Sequence, residues 1–167
     1  VIFTCYSTSS STLYDYSSSY TPISSSNTLN SFLINSSTGT YTNKNIQIEN
    51  FTSPPLLNKC FLDVYNNYYI SYSGTNTTPY YSGFVVLKFD KFTNIRYYLT
   101  VNDNETCNVF LEPVTTNLYI TCKNYTGSRN LMNVFSNGTQ ILATNVPSLK
   151  NIILCFDSSG NYINYST

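Results

Sequence analysis

Histidine and tryptophan are absent from the 167 residues, and methionine occurs once. Without histidine there is no side chain whose ordinary pKa lies near neutrality, and the Ser-His-Asp and Cys-His arrangements of hydrolases are excluded. The commonest metal ligand is missing with it. Charge is scarce: eight basic and eight acidic residues cancel, and together make up 10% of the chain, against about 25% in an average soluble domain. No basic patch exists to track phosphates, so nucleic acid is not an expected partner. No apolar run approaches the ~20 residues of a helical membrane span. Paired CxxC motifs, phosphate-binding glycine loops and calcium-loop spacings are absent as well, and no cofactor is expected.

Uncharged polar residues take the place of charge. Ser, Thr and Asn number 23, 22 and 23, and Tyr alone accounts for 17. Tyr, Thr, Ile, Val and Phe favour strands, and few segments have the Ala/Leu/Glu/Lys character of helices. The expectation is an all-β chain. A surface with few carboxylates changes little as pH falls below about 4, where Asp and Glu lose their charge, which suits an acidic or harsh setting. Seven Asn-x-Ser/Thr sequons stand at Asn35, Asn50, Asn76, Asn104, Asn124, Asn137 and Asn164. With five cysteines they point to an exported, N-glycosylated protein at the cell surface or beyond it. The sequence opens on Val1 rather than Met, as expected of a mature chain after signal removal or of a piece of a longer one.

The chain repeats itself. "VIFTCYSTSSSTLYDYS", "NKCFLDVYNNYYISYS", "NVFLEPVTTNLYITCK" and "NIILCFDSSGNYINYS" each place an apolar strand, a polar turn and a Tyr-centred strand in succession. Tyr69, Tyr119 and Tyr162 fall at matching positions, each followed by Ile. Between them lie second hairpins such as "GFVVLKFDKFTNIRYYLTVN" and "LMNVFSNGTQILATN". The unit is four antiparallel strands, giving about 1–57, 58–107, 108–150 and a partial 151–167 within a single all-β region. Within the first of these, residues 7–40 form a Ser/Thr-rich stretch suited to loop, linker or O-glycosylation. Four-stranded repeats of this length read as β-propeller blades. The same strands also fit a two-sheet, Ig- or pilin-like β-sandwich.

Cys107 and Cys122 are equidistant from the Val114–Thr115 junction, so a hairpin centred there sets them opposite each other, within disulfide reach. Cys5 and Cys155 occupy matching places in the first and last segments and are a second candidate pair, met if the array curls round. The carboxylates Glu49, Asp63, Asp90, Asp103, Glu105, Glu112 and Asp157 are scattered. Asp90, Asp103 and Asp157 fall at predicted turns or strand ends, where Asp bonds to the local backbone. No catalytic, cofactor or metal site is expected. The Tyr residues read as core and cross-strand packing ahead of sugar-stacking platforms.

The stretch "LYITCKNYTGSRNLMNVFSNGTQILATN" resembles blades of archaeal surface-layer and secreted propellers. The overall composition resembles the thread-type filaments of acid-loving archaea, whose subunits pass a donor strand to a neighbour. That resemblance lies in character rather than motif, so no residue role is carried over; it implies head-to-tail assembly with other copies and heavy N-glycosylation. The strand-prone tip Val1, Ile2, Phe3, Thr4, Cys5 and Tyr6 is the candidate donor strand, the alternative being that it pairs within its own chain. The functional expectation is a non-catalytic structural subunit of a glycosylated surface filament or coat, its partners being copies of itself or other surface proteins. A ligand-binding or adhesive ectodomain and a viral surface glycoprotein are the alternatives.

Overall fold

The computed structural model describes residues 2–8, 28–34, 41–43, 55–75, 83–91, 94–102, 106–123, 130–146 and 151–167, the first three as backbone only. Every element in them is a strand: β1 (Ile2–Thr8), β2 (Thr28–Ile34), β3 (Tyr41–Asn43), β4 (Leu56–Leu62), β5 (Tyr68–Gly74), β6 (Gly83–Phe89), β7 (Ile95–Asn102), β8 (Thr106–Leu111), β9 (Leu118–Lys123), β10 (Asn130–Ser136), β11 (Thr139–Val146), β12 (Asn151–Phe156) and β13 (Tyr162–Ser166). Among the described residues no helix is long and apolar enough to cross a membrane.

All pairings are antiparallel. They build a six-stranded sheet in the order β11-β10-β7-β6-β5-β4, a four-stranded sheet β13-β12-β9-β8, and a three-stranded sheet β1-β2-β3. The first two pack through one core. Tyr69, Phe84, Val86, Tyr97, Leu99, Val101, Met132 and Val134 project from the larger sheet, and Val109, Leu118, Ile120, Ile152, Leu154 and Phe156 from the smaller. Their alternation along each strand is the period of two that a sheet imposes. The strands β5 and β6 break that rule because both of their faces are covered. Their other face carries a second buried cluster of Tyr68, Ile70, Tyr72, Val85, Leu87 and Phe89. That is why "YYISY" and "FVVLKF" read as continuous apolar runs.

Of the two arrangements open to the sequence, these layers are sandwich-like. Successive hairpins do not stack as four-stranded blades. β8–β9 lies in the small sheet, β10–β11 returns to the large one beside β7, and β12–β13 joins the small sheet beside β9. Burying one apolar sheet face against another needs two layers, and the chain supplies the second layer by alternating.

The tip of the chain is not a spare strand. β1 is paired with β2 from Ile2↔Ile34 to Thr8↔Thr28, so the alternative in-chain pairing is the one that forms. "TLNSFLI" supplies the ladder partners that donation to a neighbour would otherwise have to provide. Val1 lies outside the described residues, as does most of the Ser/Thr-rich stretch.

Candidate functional site

One turn is used repeatedly. In Asp63–Asn67 and Asp157–Asn161 the Asp backbone N–H donates to the carbonyl of the Asn four residues on, at 3.1 and 2.9 Å, and Asp90–Asn94 does the same at 3.0 Å. The Asp carboxylate then accepts the Asn backbone N–H at 2.8, 2.8 and 2.9 Å, and the Asn side-chain amide as well. The residue before the Asn sits in the left-handed region, Asn66 at φ 62 and Gly160 at φ 83. This is a three-residue hairpin loop with a type I turn and a left-handed bulge. The β8–β9 hairpin carries a version one residue longer. There Thr115 Oγ1 donates to Glu112 Oε2 and accepts Asn117 N–H at 3.2 Å, and Thr116 takes the left-handed position at φ 56. Four of the scattered carboxylates thus share one local task. Glu49, Asp103 and Glu105 lie outside the described residues.

Asp63 differs from the others in being buried, its side chain fully so. Besides the turn, Oδ2 accepts the Tyr69 hydroxyl at 3.3 Å and lies 4.0 Å from Lys88 Nζ. Lys88 occupies an inner-face position of β6, directly across from Tyr69 on β5 and Tyr97 on β7. Its ammonium lies 5.3 and 5.5 Å from those two ring centroids and donates to the Ser158 carbonyl at 2.7 Å. Burial lowers the Lys88 pKa, and the Asp63 carboxylate opposes that effect. Burial also raises the phenol pKa values of Tyr69 and Tyr97. Tyr97 Oη makes no hydrogen bond of good geometry, although the Tyr69 phenol is its electrostatic neighbour.

Lys88 therefore ties the β12–β13 turn of the small sheet to the β4–β5 turn of the large one. Gly160 completes the junction: a Cβ there would sit 2.7 Å from the Tyr97 ring, and its carbonyl accepts Ser136 Oγ at 3.0 Å. Asn67, Arg96, Ser158 and Ser159 rim a polar cleft of about 300 Å³ over this cluster. Every oxygen of Asp63 is occupied by donors, so the arrangement does the work of a latch. Among the described residues no group of three His, Cys, Asp or Glu side chains is placed to hold a metal ion.

A second cleft, about 330 Å³, opens between the edge strands β4 and β8 and is lined by Lys59, Phe61, Leu62, Val109, Phe110 and Leu111 among others. Lys59 Nζ spans it, donating to the Val109 carbonyl at 3.1 Å and lying 4.2 Å from the Phe110 ring centroid. Phe110 and the hairpin tips Val64, Tyr65 and Val114 around it are exposed.

The structure joins Cys107 to Cys122, which are register partners with Cα atoms 4.1 Å apart. The candidate pairing of Cys5 with Cys155 does not form. Cys155 is a buried free thiol on β12, with Tyr119 and Asn164 as its two cross-strand neighbours. The small sheet encloses it on both sides, and its hydrogen bond to the Tyr119 phenol raises that phenol's pKa. The repeat-matched tyrosines are register partners of phenylalanines: Phe61↔Tyr69, Phe110↔Tyr119 and Phe156↔Tyr162.

Of the sequons, Asn35, Asn50, Asn76, Asn104 and Asn124 lie outside the described residues. Asn137 and Gly138, at φ 48 and 79, form the two-residue type I′ turn that joins β10 to β11. Asn137 is exposed, and its Oδ1 accepts the Tyr98 backbone N–H at 3.0 Å. Asn164 is exposed within β13.

Lys88 and Asp63 were not singled out in the sequence. The available signals were a lone cation inside "FVVLKF" and the Asp-x-x-x-Asn spacing repeated at three hairpins. No protein-family model, curated protein or solved structure matches the chain.

Proposed function

We propose that the chain is a non-catalytic structural module of an extracellular, N-glycosylated surface filament or coat, assembled from copies of itself. The observation that carries this reading is the use made of the acidic residues. Asp63, Asp90, Glu112 and Asp157 are each bound into the turn they begin. Among the described residues these four carboxylates, with Lys88 and Lys59, go into rigidity: hairpin turns, one inter-sheet latch and one lysine clasp between edge strands. A sandwich held in this way suits a load-bearing repeat unit exposed to a harsh medium. Electron microscopy and intact mass of native material test the proposal. Filaments or a regular coat are expected, with a mass above the 18.9 kDa polypeptide that falls on deglycosylation. A dispersed monomer of unmodified mass refutes it.

The β4/β8 cleft favours a second reading, an adhesive or ligand-binding ectodomain, because its volume lies in the range of small-molecule sites and its mouth carries exposed Phe110. A glycan and peptide array probed with wild type and Phe110→Ala separates the two. Binding lost in the variant supports adhesion, and no binding by either protein removes it.

A further inference from the structure

The face of the four-stranded sheet turned away from the shared core carries a row that crosses all four strands. Register places Phe110 of β8 beside Tyr119 of β9, Tyr119 beside Cys155 of β12, and Cys155 beside Asn164 of β13. Directly opposed residues project to the same side of a sheet, and the adjacent row Val109, Ile120 and Leu154 takes the core side. Phe110 and Asn164 are exposed and Tyr119 is half-buried. Ile153, two residues before Cys155 and so on the same face, is exposed as well. Neither this row nor the next one, Asn108, Thr121, Ile153 and Ser166, contains a charged residue. The row ends on the sequon Asn164-Tyr165-Ser166.

From this alignment of a sequon with two aromatic rings we infer that an N-linked glycan on Asn164 lies back across the outer face and packs its first sugars on Tyr119 and Phe110. The inference rests on the proposed N-glycosylation of the chain. The glycan comes from an oligosaccharide linked through phosphate to a lipid carrier. The bond from Asn164 Nδ2 to the anomeric carbon forms, the bond from that carbon to the phosphate oxygen breaks, and the Nδ2 proton passes to solvent as the lipid phosphate leaves. Neighbouring strands are about 4.8 Å apart, so Tyr119 lies about 10 Å and Phe110 about 14 Å from the strand of attachment. A few linked pyranoses span that distance. A pyranose has an apolar C–H face and a hydroxyl-bearing rim, and the negative face of an aromatic ring attracts such polarised C–H groups. The uncharged face, with amide and hydroxyl side chains between its rings, suits a neutral sugar. Because the glycan is tethered to the same face, each contact is intramolecular, and weak stacking is enough to hold it.

The test is proton NMR of the glycoprotein purified from its own host, beside Asn164→Gln, Phe110→Thr and Tyr119→Thr made in the same host, with peptide mapping to establish which sequons are occupied. Sugar C–H protons held over the rings are expected to move upfield through ring currents. Those resonances should vanish in Asn164→Gln and return toward ordinary positions in the two ring variants. Phe110 lies outside the core, so Phe110→Thr decides if Tyr119→Thr does not fold. An occupied Asn164 with unshifted sugar protons overturns the packing alone. So do shifted protons that stay in place in the ring variants. An unmodified Asn164 beside occupied sequons elsewhere overturns this inference and leaves the proposed function standing. A chain without glycan at any sequon overturns both.

Discussion

Replacing Asp63 by alanine isolates the worth of burying a turn carboxylate, because Asp90 supplies an internal control. Both residues accept the backbone and side-chain N–H groups of the Asn four positions on. Asp90 is more exposed, and its ion pair with Arg96 at 3.9 Å involves a largely exposed guanidinium, so that pair contributes little. Asp90→Ala should cost about 1 kcal/mol, the net worth of its local hydrogen bonds. Asp63→Ala loses the same turn and also strands the Lys88 ammonium, whose side chain is only 9% exposed. Breaking a buried pair typically costs 3–5 kcal/mol. The 4.0 Å separation and the remaining bond to Ser158 place this one near the low end, so the total is about 4 kcal/mol. For a chain of this length each kcal/mol moves Tm by about 2–4 °C. Asp63→Ala should therefore lower Tm by roughly 8–16 °C and Asp90→Ala by roughly 2–4 °C. Circular dichroism melts and denaturant titrations followed by tyrosine fluorescence measure both. Adding Lys88→Met to Asp63→Ala should recover about 2 kcal/mol by removing the stranded charge. Equal losses for the two single variants, within about 1 kcal/mol, would refute the latch.

Reducing Cys107–Cys122, or replacing both residues by serine, should cost about 3 kcal/mol, as expected for a cross-link closing a loop of this length, and denaturant midpoints measure it. Gly160→Ala forces a side chain into the left-handed region and against the Tyr97 ring, so a loss of about 2–4 kcal/mol is expected; a neutral substitution would mean that the ring yields. Burial pushes the Asp157 pKa up, but hydrogen bonds from Asn161, Ser159 and Gly160 outweigh it and hold the carboxyl below its ordinary 3.8. Its contribution to stability is thus present above about pH 4 and lost as pH falls through the lower folded value; in Asp157→Asn that acid-side slope should flatten. Tyr69 and Tyr97 have raised folded values, so their contribution is intact below about pH 10 and declines above it. Phenolate absorbance should show them ionising only as the protein unfolds.

The hairpins were legible because their information is local. The midpoint between Cys107 and Cys122 falls inside the turn that sets them in register, and Asn137-Gly138 announces its own turn type. Layer membership was not legible, because it depends on what lies across the core. Tyr69, two residues after the turn Asn67, faces inward from the large sheet. In the small sheet Leu118, one residue after Asn117, takes the inward place, and Tyr119 is only half-buried. Similar phrases bury different parities, Tyr69 and Tyr162 packing on the shared core and Tyr119 not, so an alignment of the phrases cannot assign strands to layers. The role of Lys88 is not legible in the sequence for a related reason. In an alternating strand a cation is expected to face water, yet in β6 both faces are covered, and the charge is accommodated by two aromatic rings, a carbonyl and a carboxylate.

The interleaving of the two sheets governs how the chain can be synthesised and folded. β7 must wait for β10, with β8 and β9 emerging in between; β9 must wait for β12, with β10 and β11 in between. During synthesis the hairpins β4–β5, β6–β7 and β8–β9 close first, each nucleated by its own turn within microseconds. The joining pairs Asn102↔Asn133 and Lys123↔Asn151 follow only when later segments leave the ribosome. Neither of these two sheets can then be completed as an independent intermediate, and a chain stalled before residue 130 holds the β4–β7 meander and the β8–β9 hairpin with open edges. Such a nascent chain is the species most exposed to aggregation.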